Sequence, residues 1–105
     1  MNRTLFVYVV CADSKEARRI AETAVKKRLA ACANVLGECE SFFEWKGKFE
    51  ECQEVPIIMK TTEGKYHELE KLVKKMHSYE NPAIVALPIA AGSKSYLKWV
   101  EESVR

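Results

Sequence analysis

From Thr4 to Cys11 the chain reads TLFVYVVC, a continuous apolar and β-branched run that predicts a strand covered on at least one face. After Asp13 the apolar spacing becomes three and four. Ala17, Ile20, Ala21, Ala24, Val25 and Ala31 form one stripe, with Arg18, Arg19, Glu22, Lys26 and Lys27 mostly off it. The pattern predicts a helix that starts after Asp13 and ends near Ala31. Asp13 can accept from the free amides of its first turn, and Glu16, three residues on, completes a capping box.

Asn34 to Lys60 reads as two strands folded on each other about Trp45-Lys46-Gly47-Lys48, where a tight turn needs the positive φ that glycine allows. One arm carries Phe42, Phe43 and Trp45, the other Val55, Ile57, Ile58 and Met59. Gly37 interrupts the first arm and marks a candidate bulge. Pro56 has no amide donor, so the second arm must be an edge, or bulged, at that point. A second helix, about Gly64 to His77, places Tyr66, Leu69, Leu72, Val73 and Met76 on one face, with Glu70 and Lys74 as an i,i+4 pair. Pro82 separates it from a last apolar strand, Ala83 to Ala90. A short helix, about Lys94 to Val104, turns Tyr96, Leu97 and Val100 inward.

The order is β-α-β twice, plus a terminal helix. Laid side by side, the two units give an α+β, ferredoxin-like βαββαβ sandwich: a four-stranded antiparallel sheet with both main helices on one face. The other face would be bare in a monomer and is apolar enough that association is the natural solution. With 105 residues there is room for one core, so residues 1–105 are read as a single domain.

Composition narrows the function. An apolar share of 48% and a charged share of 30% fit a globular chain, not a disordered one. A net charge of +2 argues against a nucleic-acid partner, since Lys26-Lys27-Arg28 is the longest basic run and suits a helix C-terminus. No secretory pattern and no apolar run near the ~18 residues of a bilayer span are present, which argues against a membrane partner. Cys11, Cys32, Cys39 and Cys52 form no CxxC pair and no regular disulfide spacing, as expected of reduced thiols in the cytoplasm.

No catalytic constellation emerges. The two histidines, His67 and His77, are not in helical register, and neither is tied by sequence to Cys11 or a serine. HExxH, GxSxG and a glycine-rich phosphate loop are all absent, so the expectation is a protein that is not an enzyme. Paired short zinc-ligand spacings are also missing. Copper accepts thiolate, thioether and imidazole together, which makes Cys11, Met76 and His77 chemically suitable ligands. Each has a plainer role to set against that one: Cys11 as a small buried hydrophobe, Met76 as core, His77 as a C-cap partner. His77 is the strongest single candidate, because a histidine at a helix end is often exposed. Glu38, Glu40, Glu44, Glu50, Glu51 and Glu54 lie along the hairpin; edge charges that discourage aggregation account for them more simply than a cation site does.

Three strings taken together carry a resemblance: RLAACAN (28–34), FFEWKGKFEE (42–51) leading to KTT (60–62), and HSYENPAIVALPI (77–89) followed by YLKWV (96–100). In order and spacing they closely resemble the CutA family of divalent-cation tolerance proteins, across almost the whole chain. The resemblance implies a homotrimer similar to the PII signalling proteins, with the long hairpin continuing a neighbour's sheet. It also implies a tolerance role without catalysis, no required cofactor, and weak binding of copper or another divalent cation at Cys11, Met76 and His77. Met76 stands where some relatives carry a second histidine, and Ser78 and Pro56 also depart from the family pattern. Two other readings compete. One is a PII-like sensor taking a small molecule or ion in subunit clefts, drawn from Lys60, Tyr79, Glu80 and Trp99. The other is a scaffolding trimer without a ligand.

Overall fold

The computed structural model describes residues 3–105. β1 (Thr4–Cys11) alternates, with Leu5, Val7, Val9 and Cys11 buried and Phe6, Tyr8 and Val10 half-buried on the opposite face. α1 (Ser14–Lys26) follows, its N-terminus capped by the Asp13 carboxylate, which accepts from the Glu16 amide at 2.8 Å. The helix stops five residues short of Ala31. Arg28 takes φ 58°, and the Leu29 and Ala30 amides turn back to the Ala24 carbonyl at 2.9 and 3.2 Å. This is a left-handed C-terminal cap with arginine where glycine is usual. Ala31 is still buried, as the stripe expects, but in the connection and not in the helix; Leu29 and Ala30, which the stripe did not include, are buried with it.

β2 (Cys32–Val35) and β3 (Cys39–Trp45) run along the same edge of the long β4 (Lys48–Thr62). Val35 faces Ile57 and Cys39 faces Glu54, so residues 36–38 oppose only residues 55 and 56. One extra residue on one strand is a β-bulge, and Gly37 lies in it. Pro56 faces it from across the ladder, where its carbonyl accepts the Leu36 amide at 2.9 Å. Pro56 is thus accommodated neither by an edge nor by a bulge in its own strand, since β4 also pairs with β1 there, but by the bulge across the ladder, after β2. At the hairpin tip both Lys46 and Gly47 have positive φ, 52° and 79°, as a two-residue turn of the I′ kind requires.

α2 (Glu63–Met76), β5 (Ile84–Pro88) and α3 (Lys94–Ser103) complete the chain. The sheet order is β2-β4-β1-β5 with antiparallel neighbours, the ferredoxin-like arrangement expected from the sequence. Its core holds Ile20 of α1 and Leu69 and Val73 of α2 against Val7, Val9, Ile57 and Met59. α3 covers part of the second sheet face: the Tyr96 hydroxyl donates to Cys32 Sγ at 3.9 Å, and Val100 and Val104 pack with Ala31. Beyond α3 that face stays open, leaving Val85 and Leu87 51% and 56% exposed.

Candidate functional site

β1 and the two main helices converge where β1 ends. His77 caps α2, donating its amide to the Val73 carbonyl at 2.9 Å. Its extended backbone, ψ 143°, turns the ring inward, and the side chain is fully buried. This overturns the expectation of an exposed helix-end histidine, and the physical reason is that both ring nitrogens find backbone partners. Nε2 lies 2.7 Å from the Val10 carbonyl, and Nδ1 accepts the Tyr79 amide at 3.1 Å. Because Nδ1 accepts an N–H, the proton sits on Nε2 and the imidazole is neutral.

Glu16 stands beside it, with Oε2 3.7 Å from His77 Nδ1. Oε2 also accepts the Ala12 amide at 2.9 Å, and Oε1 accepts the Ser78 amide at 2.8 Å. Burial pushes this carboxyl's pKa up, but the hydrogen bonds from Ala12 and Ser78 hold it below its ordinary value of 4.5. The capping box is thereby modified, since the glutamate ties the β1–α1 connection to the segment after α2. The Cys11 thiol completes the group: one donor atom each of Cys11, Glu16 and His77 lie within 4.8 Å of one another. Burial, and then the charges of Glu16, Asp13 and Glu54, push the Cys11 pKa from 9 up to about 12.

Cys11 therefore stays a thiol at neutral pH. A group with a raised folded pKa contributes stability that is complete below its unfolded value and lost as pH rises toward the folded one. Stability should thus fall between pH 9 and about 12, with Cys11 accounting for about 2 kcal/mol of the loss by roughly pH 10.5. Urea titrations of wild type and Cys11→Ala at pH 7 and 10.5 read this share. Equal alkaline losses in the two proteins would show that Cys11 does not carry it.

The other expected residues separate. Met76 packs against the core from α2. The Tyr79 hydroxyl donates to Glu54 Oε2 at 2.7 Å, at the root of the hairpin, while its ring lies tilted over His77 at 4.8 Å. Glu80 pairs with Lys46 at the hairpin tip, at 3.8 Å. Lys60 donates to Asn34 at 2.6 Å on the second sheet face, and Trp99 packs on Tyr96 of α3. Sequence reasoning gave Glu16 only a local capping role; the signal for its wider one, a carboxylate at the third helical position after Asp13, is identical in both cases.

The family model for the CutA1 divalent ion tolerance protein matches residues 5–103. The chain belongs to the CutA family. It is 43% identical over 99 residues to the divalent-cation tolerance protein CutA of Archaeoglobus fulgidus, covering 94% of this chain and 96% of that one. The mouse protein CutA is 41% identical over 95 residues, but there the chain spans only 54% of the relative's length. Among solved structures, the periplasmic divalent cation tolerance protein CutA from A. fulgidus superposes with TM-score 0.94 at 42% identity, covering 97% of this chain and 99% of that one. Cut A1 from Thermus thermophilus gives 0.94 at 38% identity, with the same coverage. An Arabidopsis relative is named as chloroplastic. Among the described residues no helix is long and apolar enough to cross a membrane.

A divalent cation implied by these names finds suitable elements in Cys11, Glu16 and His77, but no ligand atom free of a competing hydrogen bond or proton. Both ring nitrogens are committed, both carboxylate oxygens accept amides, and the sulfur is protonated. As arranged, the group does not fit a resident ion.

Proposed function

We propose that the chain is a non-catalytic, cytoplasmic homotrimer that serves divalent-cation tolerance and binds copper or another divalent cation weakly. The observation that carries this reading is the CutA family match over residues 5–103. Three features of the single subunit support assembly. β1 pairs with β4 only as far as Val55, so residues 48–54 of β4 have β3 on one edge and, among the described residues, no strand on the other. Phe42, Phe43, Trp45 and Phe49 of the same hairpin are exposed, as are Val85 and Leu87 on the sheet. The subunit also exposes 6897 Å², against roughly 6,000 Å² for a compact chain of this mass. A neighbouring copy would satisfy the open edge and the apolar surface together.

The closed group at the end of β1 would hold an ion poorly. An ion entering there must displace a proton and at least one backbone hydrogen bond. The PII-like sensor reading has less behind it: Lys60 and Trp99 keep company with Asn34 and α3, while Tyr79 and Glu80 engage the hairpin. Light scattering of the reduced protein, with calorimetric titration of copper and zinc, tests the proposal. The expected result is a mass three times 12.0 kDa and copper binding no tighter than about micromolar. A monomer, or no heat with either metal, would overturn the corresponding half.

A further inference from the structure

We infer that Cys11, Glu16 and His77 form a closed structural latch, which anchors the segment after α2 and the root of the hairpin, and that the cation bound by this protein is held elsewhere. The inference deepens the metal-tolerance reading and rests on it for the existence of a bound cation; the latch itself rests on hydrogen-bond geometry alone. A metal-ligating histidine ordinarily offers one ring nitrogen to the ion and gives the other N–H to a carboxylate or carbonyl. His77 has the second half of that arrangement, with Nε2 on the Val10 carbonyl, but its remaining nitrogen is taken by the Tyr79 amide. The nearest carboxylate, Glu16, is spent on two main-chain amides on different connections, Ala12 before α1 and Ser78 after α2. Met76, the expected third ligand, is directed to the hydrophobic core.

What the four hydrogen bonds achieve is mechanical. Val10 and Ala12 flank the end of β1, and Ser78 and Tyr79 open the segment that returns to β5. His77 bonds directly to Val10, Glu16 bridges Ala12 and Ser78, and the Tyr79 amide turns back upon the ring, so the strand end and the segment are fastened without a metal. Tyr79 passes the constraint on, because its hydroxyl meets Glu54 just before β4 enters its pairing with β1. The buried thiol fills the space beside the ring.

The test follows the His77 ring nitrogens by NMR on the full chain, reduced and free of metal, before and after stoichiometric Zn(II). In parallel, Zn(II) and Cu(I) affinities are measured for wild type, Cys11→Ala and Cys11→Ser, and amide exchange for wild type and His77→Ala. The latch predicts a neutral Nε2–H ring unmoved by zinc. It also predicts affinities within about twofold of wild type for both Cys11 variants. In His77→Ala, exchange at Ser78 and Tyr79 should accelerate at least tenfold. A zinc-shifted His77 ring, or a tenfold loss of affinity in either Cys11 variant, would overturn the inference. So would unchanged exchange in His77→Ala. If wild type binds neither metal, the metal half of the proposed function fails, while ring state and amide exchange still decide the latch.

Discussion

Replacing Glu16 with alanine is expected to lower folding stability by about 3–5 kcal/mol, a large share of what a domain of this size possesses. Glu16 is only 5% exposed, and its carboxylate supplies the acceptors for the Ala12 and Ser78 amides. Without it each N–H loses a hydrogen bond to a charged acceptor, at about 1.5–3 kcal/mol apiece. Glu16→Gln should cost about half as much, because an amide side chain offers one oxygen and must turn its NH₂ toward the other donor. Acid provides the same test without mutation. The lowered folded pKa means that Glu16 contributes stability above its unfolded value near 4.5, and that this is lost as pH falls below it toward the folded value. Urea unfolding at one fixed protein concentration measures all three effects. A Glu16→Ala loss under about 1 kcal/mol would mean that the two amides find other partners.

The second large effect concerns the sheet face that α3 leaves open. Leu87 stands opposite Phe6 on β1, and Val85 opposite Tyr8, forming a continuous apolar patch. Leu87→Glu should leave the subunit fold intact, because the side chain is already more than half exposed, yet it should break the proposed trimer into single chains. A carboxylate repeated three times against apolar neighbours has no partner and cannot keep its water. Light scattering would then report 12.0 kDa, with the far-ultraviolet circular dichroism unchanged. A Leu87→Glu protein that keeps three chains would place the interface on another surface.

How much of this was legible beforehand depended on the range over which each signal acts. β1 was readable to the residue because both of its ends are changes of composition. The second main helix and the terminal one were placed within a residue or so, by periodicity and by Pro82. The end of α1 was not, since Ala31 continues the apolar stripe; what stops the helix is the left-handed turn at Arg28, which arginine does not advertise. At the site, the residues themselves tied neither histidine to Cys11; only the family resemblance put Cys11 and His77 together, and the fold brings one donor atom of each within 4.8 Å. Their chemistry was not legible, because it is decided by backbone groups: the Val10 carbonyl and the Tyr79 amide are the same in any sequence, and only the fold brings them to the ring.

The bulge at residues 36–38 has a consequence for insertions and deletions. Removing one residue there would leave every pair of β2 with β4 and of β3 with β4 available, now in a single uninterrupted ladder. The extra residue that bends the strand and sharpens its twist would be gone. The subunit would keep its core while its hairpin set off in a different direction. Loop lengths on protein surfaces are usually free to drift, but this short connection acts as a gauge block, and its length fixes where the hairpin points.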